Sequence, residues 1–263
     1  MSWLITGSQK IDPDAAVYLS RVEAADGQTL EPDVRTAVEA FIVGCKADGI
    51  WNAIKASCIL AGARTLAGAL VPLVGTAPTN NGFIGIGTDY ERKTGLVGNG
   101  STKYLNSNQP SNAHPQNSIH FCCYITAPAT TFSIYMATRF INSSFEFNEL
   151  QLESSSTLFV YNRSGGGGGI ASISGSNVTG LFGSNRNESS GFSVRSSGST
   201  ATRTNPSFTP RSDNFTIFAR NQSPPAFHSN GRLAFYSIGE SLDLALLDAR
   251  VTTLVNAFAA AIP

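Results

Sequence analysis

The chain has 263 residues, with 18 basic side chains against 18 acidic ones, so its formal net charge is zero and only 14% of residues are charged. That balance excludes an electrostatic nucleic-acid binder, which needs surplus Lys and Arg to displace counterions from phosphates, and equally an acidic disordered tail or a polybasic membrane anchor. With 41% apolar residues and 25 glycines the chain can build a sizeable core while spending its polar surface on Ser, Thr, Asn and Gly, a composition that suits packing into an assembly or facing sugars.

The start, Met1-Ser2-Trp3-Leu4-Ile5-Thr6, has no basic region and no long apolar run, so it is not read as a secretory signal. Residues 1–30 form an N-terminal arm with one short helix: Pro13 follows Asp12, Ala15, Ala16, Val17, Leu19 and Val22 come next, and Asp26-Gly27 breaks the chain. The arm is either a tether to a neighbouring subunit or a flap over its own domain.

Residues 31–81 read as a helical hairpin and connector. Pro32 opens a helix whose Val34, Val38, Phe41, Ile42 and Cys45 recur at helical spacing. Asp48-Gly49 ends it, and a second helix is predicted from about Ile50, with Ile54, Cys58 and Ile59 on one side. Lys55, Gly62, Arg64, Gly68 and Pro72 interrupt the apolar stretch Ile50 to Val74, so it is not a membrane span. Cys45, Cys58, Cys122 and Cys123 contain no CxxC pair and read as buried free thiols of a chain folded in a reducing cytoplasm; a Cys45–Cys58 bridge is the alternative.

From about 82 to 239 the period changes to two. Strands are predicted at Gly95–Leu105, Ser118–Ile125, Phe132–Phe140, Phe145–Leu152, Thr157–Tyr161, Ile170–Ser174, Gly191–Arg195, Phe215–Arg220 and Arg232–Ile238, separated by short Gly/Ser/Asn/Pro loops. This is the pattern of an all-β sandwich or barrel. Between Ser154 and Thr209 the only charged residues are Arg163, Arg186, Glu188, Arg195 and Arg203, and the Gly165–Gly169 run reads as a loop. Residues 240–263 return to helix after an N-cap at Ser241. Leu244, Leu247, Val251, Leu254, Phe258 and Ala261 follow at alternating spacings of three and four, an a/d seam. The seam either docks on its own domain or forms a helical bundle between subunits.

Motifs for catalysis are missing. A glycosidase needs two carboxylates facing one cleft, and the best cluster, Glu146, Glu149 and Glu153, puts Glu146 and Glu149 on opposite faces of a strand. No G-x-S-x-G elbow occurs, and His114, His120 and His228 have no metal partner at a recognisable spacing. The glycines of Gly95-Leu96-Val97-Gly98-Asn99-Gly100-Ser101 match no phosphate-binding motif and are assigned to a turn or bulge. No calcium loop is present. N-x-[ST] sequons at Asn99, Asn142, Asn162, Asn177, Asn187, Asn214 and Asn221 follow from the Asn/Ser/Thr-rich composition. The chain is therefore read as a non-enzyme without cofactor or metal.

Three segments carry a family likeness. Asp89-Tyr90-Glu91-Arg92-Lys93-Thr94-Gly95-Leu96-Val97-Gly98-Asn99-Gly100-Ser101-Thr102-Lys103-Tyr104-Leu105 resembles the opening strand of concanavalin A-like (laminin-G-like) jelly rolls. Gly231-Arg232-Leu233-Ala234-Phe235-Tyr236-Ser237-Ile238-Gly239 resembles their last strand, and Gly62–Leu66 with Leu73–Thr79 resembles the helical leader found with such modules in structural proteins of tailed bacteriophages, especially those infecting cyanobacteria. The resemblance spans roughly 31–258. It implies a mainly β fold: a jelly-roll β-sandwich preceded by an α-helical hairpin and followed by a C-terminal helix.

The same resemblance implies a virion component assembled in the host cytoplasm, with other virion proteins as partners, and does not itself separate tail from capsid or assign a sugar; the first reading is a tail, fibre or baseplate protein with host surface polysaccharide as a ligand. A capsid decoration protein with no glycan binding is the alternative. Sugar recognition by such folds uses planar aromatics with amide and guanidinium donors in loops, which points to Tyr161, Asn162 and Arg163 and, on a neighbouring loop, Asn185, Arg186 and Asn187. A homotrimer held partly by Leu244, Leu247, Val251, Leu254 and Phe258 is expected to add avidity, with neither nucleic acid nor membrane as partner.

Overall fold

Asp12 caps the first helix, its Oδ1 accepting from the backbone N of Asp14 at 3.0 Å and of Ala15 at 3.4 Å. Pro13 supplies the preset φ of the first turn, and Gly27, at φ 71°, ends the helix in the left-handed conformation. The computed structural model describes residues 11–139, 146–154, 157–165, 173–174 and 179–263. In chain order these form α1 (Pro13–Asp26), α2 (Pro32–Ala47), β1 (Ile54–Ile59), the single turn α3 (Leu66–Ala69), β2 (Thr79–Asn81), β3 (Tyr90–Glu91), β4 (Gly95–Val97), β5 (Tyr104–Pro110), β6 (Ile119–Ala127) and β7 (Ser133–Ala137). They continue with β8 (Phe147–Ser154), β9 (Thr157–Ser164), β10 (Ile173–Ser174), β11 (Gly180–Arg186), β12 (Gly191–Ser196), β13 (Ser199–Thr204), β14 (Asn214–Ile217), β15 (Arg232–Gly239) and α4 (Leu244–Ala261).

The strands build two antiparallel sheets packed face to face. One runs β13-β12-β11-β6-β15-β4-β3, with β1 also beside β15; the other runs β10-β9-β8-β7-β14-β5-β2. β15 is the hub of the larger sheet. One edge pairs with β6 along its whole length, and the other is shared between β4 at Arg232–Leu233 and β1 at Phe235–Gly239.

The second helix expected near Ile50 is replaced by a 3-10 turn at Trp51–Ala53 followed by β1. The reason is burial on both faces. Ile54, Ala56, Cys58 and Ile59 are all in the core, and the Ser57 hydroxyl donates to Tyr236 O at 2.8 Å. A short apolar run buried all round carries no period that separates helix from strand. The helical hairpin is instead α1 with α2, clasped by Lys46 Nζ donating to Asp12 Oδ1 at 2.7 Å. Ala15, Leu19 and Val22 of α1 are buried, so α1 lies on its own chain; residues 1–10 of the arm lie outside the described residues.

Strands predicted by alternation are found, with altered ends. Gly95–Leu105 divides into β4 and β5, one in each sheet, because Asn99 Oδ1 accepts from the backbone N of Ser101, Thr102 and Lys103 and turns the chain between them. Besides β1, four strands were not anticipated: the short β2 and β3, and β11 and β13. β11 is broken in pattern by Gly183, where a Cβ would stand 2.4 Å from Cys122 Cβ. β13 is an exposed edge strand of small polar residues, reached from β12 by a two-residue turn with positive φ at both Ser197 and Gly198. Phe140, Phe145 and Ile170, the loop from 166 on, and the sequons at Asn142 and Asn177 lie outside the described residues.

α4 is capped by Asp243 and not by Ser241. All five seam positions, Leu244, Leu247, Val251, Leu254 and Phe258, are buried within the chain, where α4 packs on α2 and on β11. The seam expected to join subunits is therefore spent on the chain's own core. Phe41 of α2 meets Phe235 of β15 edge-on at 5.8 Å, and Arg195 of β12 pairs with Asp248 of α4 at 2.9 Å. The helices thus cover the outer side of the larger sheet. Among the described residues α4 is also the one helix long and apolar enough to cross a membrane, but its apolar stripe is occupied by this packing. The four cysteines are free and buried.

Candidate functional site

Of the six residues expected to gather on neighbouring loops, five sit instead on strands of opposite sheets, and the six fall in three different environments. Tyr161, Asn162 and Arg163 are in β9; Asn185 and Arg186 end β11, with Asn187 just beyond. Asn162, Arg163 and Arg186 are fully buried. Asn162 Nδ2 donates to Ser184 Oγ at 2.9 Å across the sandwich. Arg186 donates through Nη2 to Asn162 O at 2.7 Å and Asn205 O at 3.1 Å, and its guanidinium lies 5.4 Å from the centre of the Phe192 ring. Arg163 donates through Nη2 to Ser111 O at 2.8 Å and His114 O at 3.2 Å, with Nε 3.8 Å from Glu146 Oε1. Burial lowers both guanidinium pKa values to about 10, which leaves them charged at neutral pH. Asn162 and Arg186 rivet one sheet to the other, Arg163 holds the 111–114 turn, and none of the three can reach a ligand at the surface.

The carboxylates of the sandwich are similarly committed. Glu146 is buried and accepts from Ser111 Oγ, from Asn148 Nδ2 and, at 2.9 Å, from the backbone N of Arg211. Glu149 is buried and takes a bidentate pair from Arg220. Neither acid of a would-be hydrolytic pair faces an open cleft. His120 is buried between Glu240 O, 2.6 Å from Nδ1, and Ser237 Oγ, 2.8 Å from Nε2. Because a carbonyl only accepts, Nδ1 carries the proton and Nε2 accepts from the serine hydroxyl. Among the described residues no three His, Cys, Asp or Glu side chains converge as metal ligands.

Asn185 and Asn187 are in a different position. They line a surface cleft of about 420 Å³ where the β11–β13 corner meets the start of α4, together with Ser193, Thr200, Ser241 and Asp243. Asn185 Oδ1 accepts from Leu242 N at 2.9 Å, which fixes the amide and leaves its NH2 as the group a ligand can use. Ser193 Oγ donates to Asn185 O at 3.3 Å, and Asp243 Oδ1 accepts from Ala245 N at 2.8 Å. Amide donors, hydroxyls and one exposed carboxylate on rigid elements form a set that matches vicinal hydroxyl groups. Ser193, Thr200 and Asp243 were not singled out from sequence. Their signal is faint, since Ser193 and Thr200 are ordinary members of a Ser/Thr-rich stretch and acquire meaning only from the β12–β13 hairpin.

Tyr161 takes neither route. Leu158 and Val160 of β9 belong to the core, so by alternation Tyr161 points to the far side of the smaller sheet. There it meets Phe147 at a ring-centre distance of 4.9 Å.

No family model matches the chain, and no curated protein sequence matches it. Solved structures do. Botulinum neurotoxin type C, described as interacting with two ganglioside molecules, superposes with a TM-score of 0.53 at 11% identity, over 79% of this chain and 51% of the toxin chain. The CBM40 of the Ruminococcus gnavus IT-sialidase, solved with sialyllactose, gives a TM-score of 0.42 at 10% identity over 60% of this chain and 95% of that one. NanB sialidase from Streptococcus pneumoniae gives 0.40 at 13% identity over 56% of this chain. The chain spans only 27% of the NanB chain and about half of the toxin chain. At such identities the likeness is one of fold, and the fold is the expected jelly-roll-like β-sandwich.

Proposed function

We propose that the chain is a non-catalytic glycan-binding module, holding a sugar in the cleft at Asn185, Asn187, Ser193, Thr200 and Asp243. The cleft carries this reading: it is concave, and its polar lining pairs donors with acceptors as vicinal hydroxyls require. The buried, partnered state of Glu146 and Glu149 supports binding over hydrolysis. Structural likeness to domains that bind sialyllactose and gangliosides is in keeping with it. The resemblance of the Asp89–Leu105 and Gly231–Gly239 segments to phage modules supports placing the chain in a virion, as a tail, fibre or baseplate component directed at host surface polysaccharide.

A glycan array followed by calorimetry tests the binding. Asn187→Ala and Thr200→Val lie at the surface and are expected to weaken the best glycan at least tenfold with unchanged thermal stability. An array that stays blank, or variants that bind as well as the parent, would sink the proposal. Immunogold labelling of particles tests the address: label on the head with a blank array favours capsid decoration.

A further inference from the structure

On the far side of the smaller sheet, five side chains form one continuous stack. The Tyr161 ring lies 4.9 Å from Phe147, the Arg220 guanidinium lies 5.4 Å from the Phe147 ring centre and 4.5 Å from that of Phe227, and Phe227 meets Phe132 edge-on at 5.4 Å. Phe132 is 40% exposed and Phe227 44%. Large apolar rings shown to solvent are unusual where charge and hydroxyls are otherwise available. Here they are held in place.

Thr130 N donates to Asn230 Oδ1 at 3.0 Å and Asn230 Nδ2 donates to Thr130 Oγ1 at 2.7 Å. Ile134 N donates to Phe227 O at 3.0 Å, and Ala129 N donates to the Tyr135 hydroxyl oxygen at 2.9 Å. The two loops that carry the exposed rings are therefore pinned to each other and to β7, and little ordering entropy remains to be lost on binding.

We propose that this ladder is a second glycan-binding surface, which stacks the faces of neutral sugar rings on Phe132 and Phe227. It rests on the reading of the chain as a glycan binder, but uses residues remote in sequence from the cleft. Two features select this occupant. Arg220 is held by Glu149 through two hydrogen bonds and lies against the rings of Phe147 and Phe227, so its guanidinium is committed within the ladder and not presented to an acidic ligand. The two exposed rings offer roughly 170 Å² at about 200 Å² per aromatic side chain, far below the ~800 Å² per partner of a stable protein interface. That is the scale of one or two sugar rings.

The test uses the full chain titrated with neutral hexasaccharides, cellohexaose and maltohexaose, at concentrations up to the millimolar range. Aromatic proton resonances of Phe132 and Phe227 are expected to shift, Phe227→Leu to weaken binding at least tenfold, and Phe227→Tyr to restore it. Thermal midpoints establish that the variants are folded. Parent-like binding by a folded Phe132→Ala/Phe227→Leu variant would overturn the ladder and leave the cleft standing. Loss of hexasaccharide binding in that variant with none in Asn187→Ala would confirm the ladder as a surface separate from the cleft. Absence of binding by the parent chain to either hexasaccharide would overturn the ladder as a neutral-glycan surface, and a blank array as well would remove both.

Discussion

Arg220 closes on Glu149 through two parallel hydrogen bonds, Nε to Oε2 at 2.6 Å and Nη2 to Oε1 at 2.9 Å, with the carboxylate fully buried. Such a pair offsets its own desolvation only while both partners are present. Arg220→Ala, which leaves a buried carboxylate alone, is expected to cost about 3–5 kcal/mol. Glu149→Gln, whose amide oxygen still accepts one bond, should cost less. Urea unfolding of the two variants checks the order; equal costs would contradict it.

The same carboxyl is pushed up to about 7, chiefly by burial, against about 4.3 in an unfolded chain. The folded state therefore holds the proton more tightly, and the stability this adds is complete below the unfolded value and disappears as pH rises through 7. Unfolding free energies at pH 5.5 and 8 should fall more for the parent chain than for Glu149→Gln. Parallel behaviour would show that Glu149 does not titrate there.

His114 and His120 pull the other way. Burial lowers both to about 4, from an unfolded value near 6.5. Their stabilisation is present above the unfolded value and lost as pH falls through 4, with a full effect of about 3 kcal/mol for each histidine. Acid unfolding should begin near pH 6 and steepen towards 4. Replacing His120 by Gln should flatten that limb, although the parent's Ser237 and Glu240 contacts are then only partly kept.

Burial raises the Cys45 and Cys58 thiols to about 12, which removes the thiolate that reacts. All four cysteines are expected to resist a thiol-specific dye in the native chain and to react fully in guanidinium. Rapid native labelling would place at least one of them at the surface.

Since Leu247, Leu254 and Phe258 are buried against α2 and β11, deleting 242–263 should unfold the chain. Leu247→Ala alone is expected to cost about 2–5 kcal/mol. Circular dichroism and light scattering of the truncated chain would decide the point: a folded truncation with fewer subunits than the parent would restore the seam to a role between subunits.

The sandwich was legible because its strands alternate and its loops are dense in Gly, Ser, Asn and Pro. β1 was not, since Ile54, Ala56, Cys58 and Ile59 are buried on both faces and read equally as one side of a helix. The candidate site was legible only in part. Asn185 and Asn187 reach a cleft, whereas Arg163 and Arg186, chosen as guanidinium donors on loops, lie on strands with their side chains buried in the interior. The burial of Glu149 against Arg220 was not legible, since the pairing depends on the fold of the 218–230 loop, and linear spacing carries no trace of that.

The position of β15 has a consequence for synthesis. β1 waits unpaired along that edge until Phe235–Gly239 arrive, about 180 residues later, which is roughly 10 to 35 s of translation. β6 waits for the same strand. The larger sheet therefore closes only when the chain is nearly finished, and a ribosome stalled between residues 127 and 232 would hold out β1 and β6 without the strand that joins them.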